Sequence, residues 1–201
     1  MDTLDNKHRN SIVIVGNGTS RKNFDLFSLH CLYGNIWGCN AFYREYPEAD
    51  RIFAVDARII NNELVSCDYP WDQITIPLIE EQCYEPEELW KGTVVTNRPK
   101  QNAGMFAVQT AIDEGIKNIY LIGFDFLVFD DEIATSNIFE STRNYTAITK
   151  TTIKDTRRRI NYFGWMVATN PDVSFNVIFP EDESVFCFGI GNFKLITYQE
   201  Q

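Results

Sequence analysis

The sequence predicts an α/β chain: one Rossmann-like domain built on a mostly parallel sheet, with helices on both faces and a lid loop. Three observations predict it. Short β-branched and aromatic runs recur from Ser11 onward, each too short for a helix and apolar on consecutive residues, as a strand buried on both faces must be. Longer polar-apolar stretches separate many of them, as helices do between parallel strands. The residues just after the runs are polar: Gly16-Asn17-Gly18, Asn40, Asp56 and Gly123-Phe124-Asp125. In open α/β sheets those carboxyl ends are where ligands settle.

In chain order, Met1–Asn10 is a polar tail, and residues 11–201 form the domain. The first strand, Ser11–Val15, runs into Gly16-Asn17-Gly18-Thr19-Ser20, two glycines followed by small hydroxyl side chains. Such a turn brings backbone N–H groups close to an anion, although a plain tight turn after a core strand reads the same. It lacks both the third glycine of the dinucleotide fingerprint and the Gly-Lys-Ser/Thr end of a P-loop. Strands follow at Ile36–Cys39, Arg51–Val55, Ile74–Ile76 and Thr93–Thr96. The clearest helix spans about Ala103–Glu114, with Asn102 as N-cap, Phe106, Ala107, Thr110 and Ala111 at helical spacing, and Gly115 as its stop. A strand at Asn118–Ile122 leads into Gly123-Phe124-Asp125.

From about residue 127 to 150 the periodicity fades, and a stretch of that length without a pattern reads as a lid over the pocket. Its Asp130-Asp131 pair reads as solvated loop, since one acidic pair does not define a metal site. A second helix, about Asp155–Ala168, carries Ile160, Phe163 and Val167 on one stripe and ends at Asn170-Pro171. Its Arg157-Arg158-Arg159 run reads as solvated face rather than anion clamp. After a strand at Ser174–Phe179, the tail Glu183–Gln201 spaces Phe186, Phe188, Phe193 and Tyr198 almost alternately. That is an edge strand, which leaves a homo-oligomer open.

Composition removes several function classes. A net charge of -10 and pI near 4.7 argue against nucleic acid, whose phosphates need a surplus of Lys and Arg. Five cysteines without a C-x-x-C pair, and histidines only at His8 and His30, argue against zinc. Cys39 and Cys187 lie in apolar runs and read as core thiols. With no apolar stretch of membrane-spanning length and no signal-like start, the expectation is a cytoplasmic chain without membrane insertion.

Three separated blocks, Ile12–Ser20 (IVIVGNGTS), Gly38–Tyr43 (GCNAFY) and Asn102–Phe126 (NAGMFAVQTAIDEGIKNIYLIGFDF), resemble the bacterial sialyltransferases of glycosyltransferase family 42 in order and approximate spacing. The resemblance implies a single Rossmann-like domain with a flexible lid that binds a cytidine-activated sugar and needs no metal or other cofactor. By that similarity Asn17 lies near the sugar-phosphate linkage and Asn40 contacts the nucleotide-sugar; Gly16, Gly18 and Ser20 of the same turn join them as candidate binding residues. Asn102, Ala103 and Gly104 hold the donor sugar, while Gly123 and Asp125 border the base and ribose. Tyr145 and Lys150 fit the local pattern of the lid.

Departures from the family are specific. Asp56 stands where the family has an asparagine. Leu127 and Ile133 stand where two tyrosines donate to the leaving phosphate, and Ile148 where the general-base histidine sits. The leading expectation is therefore a nucleotide-sugar-binding protein, with transfer to an unknown acceptor using Asp56 or Asp125 as base and Lys150 offsetting phosphate charge. The alternative is a non-catalytic descendant acting as a nucleotide-binding or protein-interaction module.

Overall fold

The computed structural model describes residues 10–33, 35–77, 93–95, 102–127, 137–145, 152–181 and 185–198. Eight strands form one sheet: β1 (Ser11–Val15), β2 (Asn35–Cys39), β3 (Arg51–Phe53), β4 (Ile74–Pro77), β5 (Thr93–Val95), β6 (Asn118–Ile122), β7 (Ser174–Pro180) and β8 (Phe193–Tyr198). Their spatial order is β5-β4-β3-β2-β1-β6-β7-β8, and every neighbouring pair is parallel. The sheet winds outward from β1 to β5, then returns to the other side of β1 for β6. The crevice where winding reverses therefore opens at the carboxyl ends of β1, β2 and β6.

Consecutive apolar residues let β1 serve two cores. Ile12 and Ile14 join Trp37, Phe53 and the apolar faces of the helices that span Ala103–Asp113 and Ile153–Thr169. Val13 and Val15 point the other way, among Leu29, Ile36, Phe42 and Ile52. All five β1 residues are buried. Among the described residues four α-helices flank the sheet: α1 (Leu26–Tyr33), α2 (Ala57–Ile59, running on as a π-helical turn Ile60–Leu64), α3 (Ala103–Asp113) and α4 (Ile153–Thr169). α4 buries Phe163, Met166 and Val167 completely. At roughly 2 kcal/mol for each such side chain, this stripe is what fastens a helix of low average hydropathy to the sheet.

α3 begins as predicted: Asn102 Oδ1 accepts from Met105 N at 2.9 Å, and Gly115, at φ 81°, ends it in the left-handed region. Asn102→Ala is expected to cost about 1 kcal/mol in urea denaturation. A change below a few tenths would mean that the cap is not used.

The parallel sheet is as expected, and every strand pair in it is parallel. Other expectations are corrected: β3 stops at Phe53, short of Val55. The tail does not form one alternating strand from Glu183. Phe186 and Phe188 precede β8 and meet edge to face, with ring centroids 5.1 Å apart, and Phe188 packs on Phe163 at 5.8 Å. In extended backbone neighbouring side chains face opposite ways, so while Phe188 turns inward the intervening Cys187 is exposed, not a core thiol. β8 is the sheet's parallel edge, with Phe193 buried and Lys194–Thr197 exposed.

Only two parts of the predicted lid are described. Leu127 is buried at the end of a single 3-10 turn, Asp125–Leu127, and residues 137–145 lie docked on the body. Ile133, Ile148 and Lys150 lie outside the described residues. No helix among the described residues is long and apolar enough to cross a membrane.

Candidate functional site

Register brings the polar strand ends together. β1 pairs Val15 with Gly38 on one side and Ile122 on the other, so Gly16-Asn17 emerges between Cys39-Asn40 and Gly123. Gly16 N–H donates to Ile122 O at 2.8 Å and Gly18 N–H to Gly123 O at 3.0 Å. The crossing is so close that a Cβ on Gly16 would lie 2.4 Å from Gly123 O. Gly123 has φ 72°, which turns its carbonyl toward that contact and suits glycine. Beneath the turn Arg21 is 1% exposed. Its Nε donates to Gly16 O at 2.7 Å, and its guanidinium pairs with Glu45 at 2.8 Å. Arg21 thus braces the turn from inside the core.

The crevice is a cleft of about 290 Å³ lined by Gly16, Asn17, Gly18, Asn40, Asp56, Asn102, Ala103, Gly104, Gly123, Asp125 and Tyr145, among others. Nearly the whole predicted binding set therefore shares one concavity. An adjoining hollow of about 770 Å³ shares Asn40, Asp56, Asn102 and Ala103. Ser20 is set behind the wall rather than in it. Its N–H and Oγ donate to Asp125 at 3.2 and 2.5 Å, and Thr19 Oγ1 adds a 3.4 Å contact. Both Asp125 oxygens thus hold the glycine turn, which makes the carboxylate a positioning group.

Asp56 is different. It is exposed, its Oδ1 accepts from Arg58 N at 2.9 Å to start α2, and its Oδ2 has no hydrogen-bond partner among the described residues.

Asn17 donates through Nδ2 to Cys39 O at 3.1 Å, while the Oδ1 atoms of Asn17 and Asn40 are buried without a partner among the described residues. Asn40 also sits at φ 54°, a conformation asparagine tolerates better than most residues. Buried acceptors without donors are costly in a closed core and ordinary in a site that awaits one. Cys39, on the cleft floor, has its thiol pushed up to about 12 by burial, which the Arg21 charge offsets only in part. It stays protonated and is no nucleophile near neutral pH.

Tyr145 reaches the cleft because residues 137–145 are tied down. Ile138 N–H donates to Asn17 O at 2.9 Å, and Asn137 bridges to Gly18. Asn144 Nδ2 donates to Glu63 at 2.6 Å, and Glu63 receives Arg44 through two bonds at 2.7 and 2.5 Å. Tyr43 donates to the same carboxylate. Tyr145 packs against Phe139, Ala41 and Ile59, and burial raises its phenol well above the ordinary value. It remains a neutral donor: the Ala41 backbone approaches its oxygen, while the hydroxyl proton has no acceptor among the described residues.

Sequence reasoning missed four contributors: Arg58, Asn137 and Glu140 on the rim, and Arg159. The arginine run is not uniformly solvated. Arg157 and Arg158 are exposed, but Arg159 is only partly so and faces both hollows. The signal was available. Arg159 stands four residues before Phe163 and seven before Met166, on the flank of the buried stripe.

Among the described residues no group of three or more His, Cys, Asp or Glu is placed to hold a metal ion. No family model matches the chain, and no curated protein is significantly similar to it.

Proposed function

We propose that the chain binds a nucleotide-sugar in the crevice beside β1 and transfers the sugar to an acceptor hydroxyl. One observation carries the reading: the polar ends of three adjacent parallel strands and the start of α3 line a single cleft. Two asparagine carbonyl oxygens buried there have no donor, and the hydroxyl proton of Tyr145 has no acceptor, among the described residues. That set suits a ligand rich in hydroxyls and ring nitrogens. The sequence resemblance to the family 42 sialyltransferases points to the same ligand class.

In this reading the acceptor oxygen attacks the anomeric carbon, and the glycosidic electron pair leaves on the phosphate oxygen. The acceptor proton passes to Asp56, whose second oxygen is unengaged. Asp125 keeps the turn in place.

The test is thermal shift against cytidine, uridine, guanosine and adenosine nucleotides and their sugar conjugates. A ligand at a hundred times its dissociation constant adds about 2.7 kcal/mol. Asn17→Ala is expected to weaken the bound nucleotide-sugar about tenfold, the scale of one hydrogen bond. Asp56→Asn is expected to abolish transfer while binding persists. Absence of any shift removes the reading, and binding without transfer by the wild type assigns the non-catalytic module instead.

A further inference from the structure

The residues that would hold a leaving phosphate by family resemblance are absent from this chain: Leu127 is apolar and buried. A phosphoryl group in a protein of net charge -10 needs a local source of positive potential. Three features of the cleft supply one. Arg159 projects from α4 into the space shared by both hollows, yet makes no ion pair or hydrogen bond among the described residues. Asp155, one turn earlier, does not neutralise it by contact, because its carboxylate accepts from Thr152 Oγ1 at 2.6 Å as part of the α4 cap. Burial works against the Arg159 charge, and Asp155, which lines the same hollow, offsets this only in part, so an added anion would stabilise the guanidinium further.

Across the same cleft stands the N-terminus of α3. The cap side chain satisfies Met105 N, while the N–H groups of Ala103 and Gly104, both in the lining, are first-turn donors without intrahelical acceptors. Tyr145, which also lines the cleft, is 9% exposed, and its hydroxyl proton has no acceptor among the described residues.

We infer that Arg159, the first-turn amides of α3 and the Tyr145 hydroxyl form the subsite for the ligand's phosphoryl group. Arg159 supplies the charge, and the neutral donors fix direction. The nearby carboxylates that face this space are Asp56, Asp125, Glu140 and Asp155. Asp125 is held by the turn and Asp155 by its cap, and Asp155 offsets the burial of Arg159 only in part, which leaves the guanidinium able to take an added anion. The inference rests on the nucleotide-sugar reading for the rest of the ligand, but the anion subsite is testable without it.

The experiment titrates inorganic pyrophosphate, cytidine and cytidine monophosphate into the full chain by calorimetry. The proteins are wild type, Arg159→Gln, Arg159→Lys and, as a control on the exposed face, Arg157→Gln. Arg159→Gln is expected to weaken pyrophosphate at least tenfold, with Arg159→Lys recovering part of the loss and Arg157→Gln matching wild type. For the nucleotide, the preference for monophosphate over nucleoside falls by a similar factor in Arg159→Gln while nucleoside affinity is unchanged. Pyrophosphate binding that depends on Arg159, without binding of any nucleotide, upholds the subsite and removes the nucleotide-sugar reading. Nucleotide binding indifferent to Arg159, or no pyrophosphate binding by the wild type, overturns the subsite.

Discussion

Gly16→Ala lowers stability by about 3 kcal/mol and abolishes ligand binding at the cleft, as followed by urea denaturation and by thermal shift. The added methyl meets Gly123 O at 2.4 Å, Gly123 C at 3.1 Å and Phe124 Cδ2 at 3.3 Å. The first two are backbone atoms, so no side-chain rotation relieves the clash. The β1 end must separate from the β6 end, breaking the bonds from Gly16 N to Ile122 O and Gly18 N to Gly123 O. Overpacking of a close-packed region costs 1–3 kcal/mol or more, and this crossing stands at the upper end because two hydrogen bonds go with it. Gly189→Ala is the control: nothing lies within 4 Å of its added Cβ, so its stability stays within about 0.5 kcal/mol of wild type. Equal stability of the two variants would show that the strand ends do not approach as described.

Arg44→Met is expected to cost about 3 kcal/mol at neutral pH, because it leaves the Glu63 carboxylate buried without its charge partner. Glu63 is 3% exposed, and Arg44 also donates to Thr142 Oγ1 and Arg143 O, both at 3.0 Å. The loss therefore reaches the segment that carries Tyr145. Burial alone would raise the Glu63 pKa, but bonds from Arg44, Tyr43 and Asn144 reverse this and hold it below its ordinary value of 4.5. A carboxylate lowered on folding contributes stability that is present above the unfolded value and is lost as pH falls through the folded one. Without Arg44 the folded pKa rises, so the variant's deficit is greatest near neutrality and shrinks as the solution is acidified toward and below about pH 4.5. A deficit that does not change with pH would mean that the charge of Glu63 plays no part.

The strands and both long helices were legible because burial on two faces leaves an unbroken apolar run, and burial on one leaves a 3.6-residue stripe. Val13 and Ile14 illustrate the first, Phe163 and Val167 the second. Strand ends could be read too, since Asn17, Asn40 and Asp125 follow directly on apolar runs. What could not be read was the duty of each polar group once neighbours from distant segments arrive. Asp125 resembled a free acid in sequence, but 105 residues separate it from the Ser20 that engages it. Arg159 looked like one of three solvated cations; its spacing to Phe163 and Met166 marks it off from Arg157 and Arg158, but the cleft it borders is formed by distant segments. The segment 137–145 carries no period because its order comes from Asn137, Asn144 and Arg44 bonding across the fold.

The hydroxyl of Tyr198, at the end of β8, donates to Ser20 O, a contact spanning 178 residues. During synthesis the glycine turn leaves the ribosome well before β8, so its outer support arrives only after the other seven strands have been made. The site is consequently completed late, whichever strands pair early, and a nascent chain lacking β8 has an unfinished cradle around a largely formed sheet.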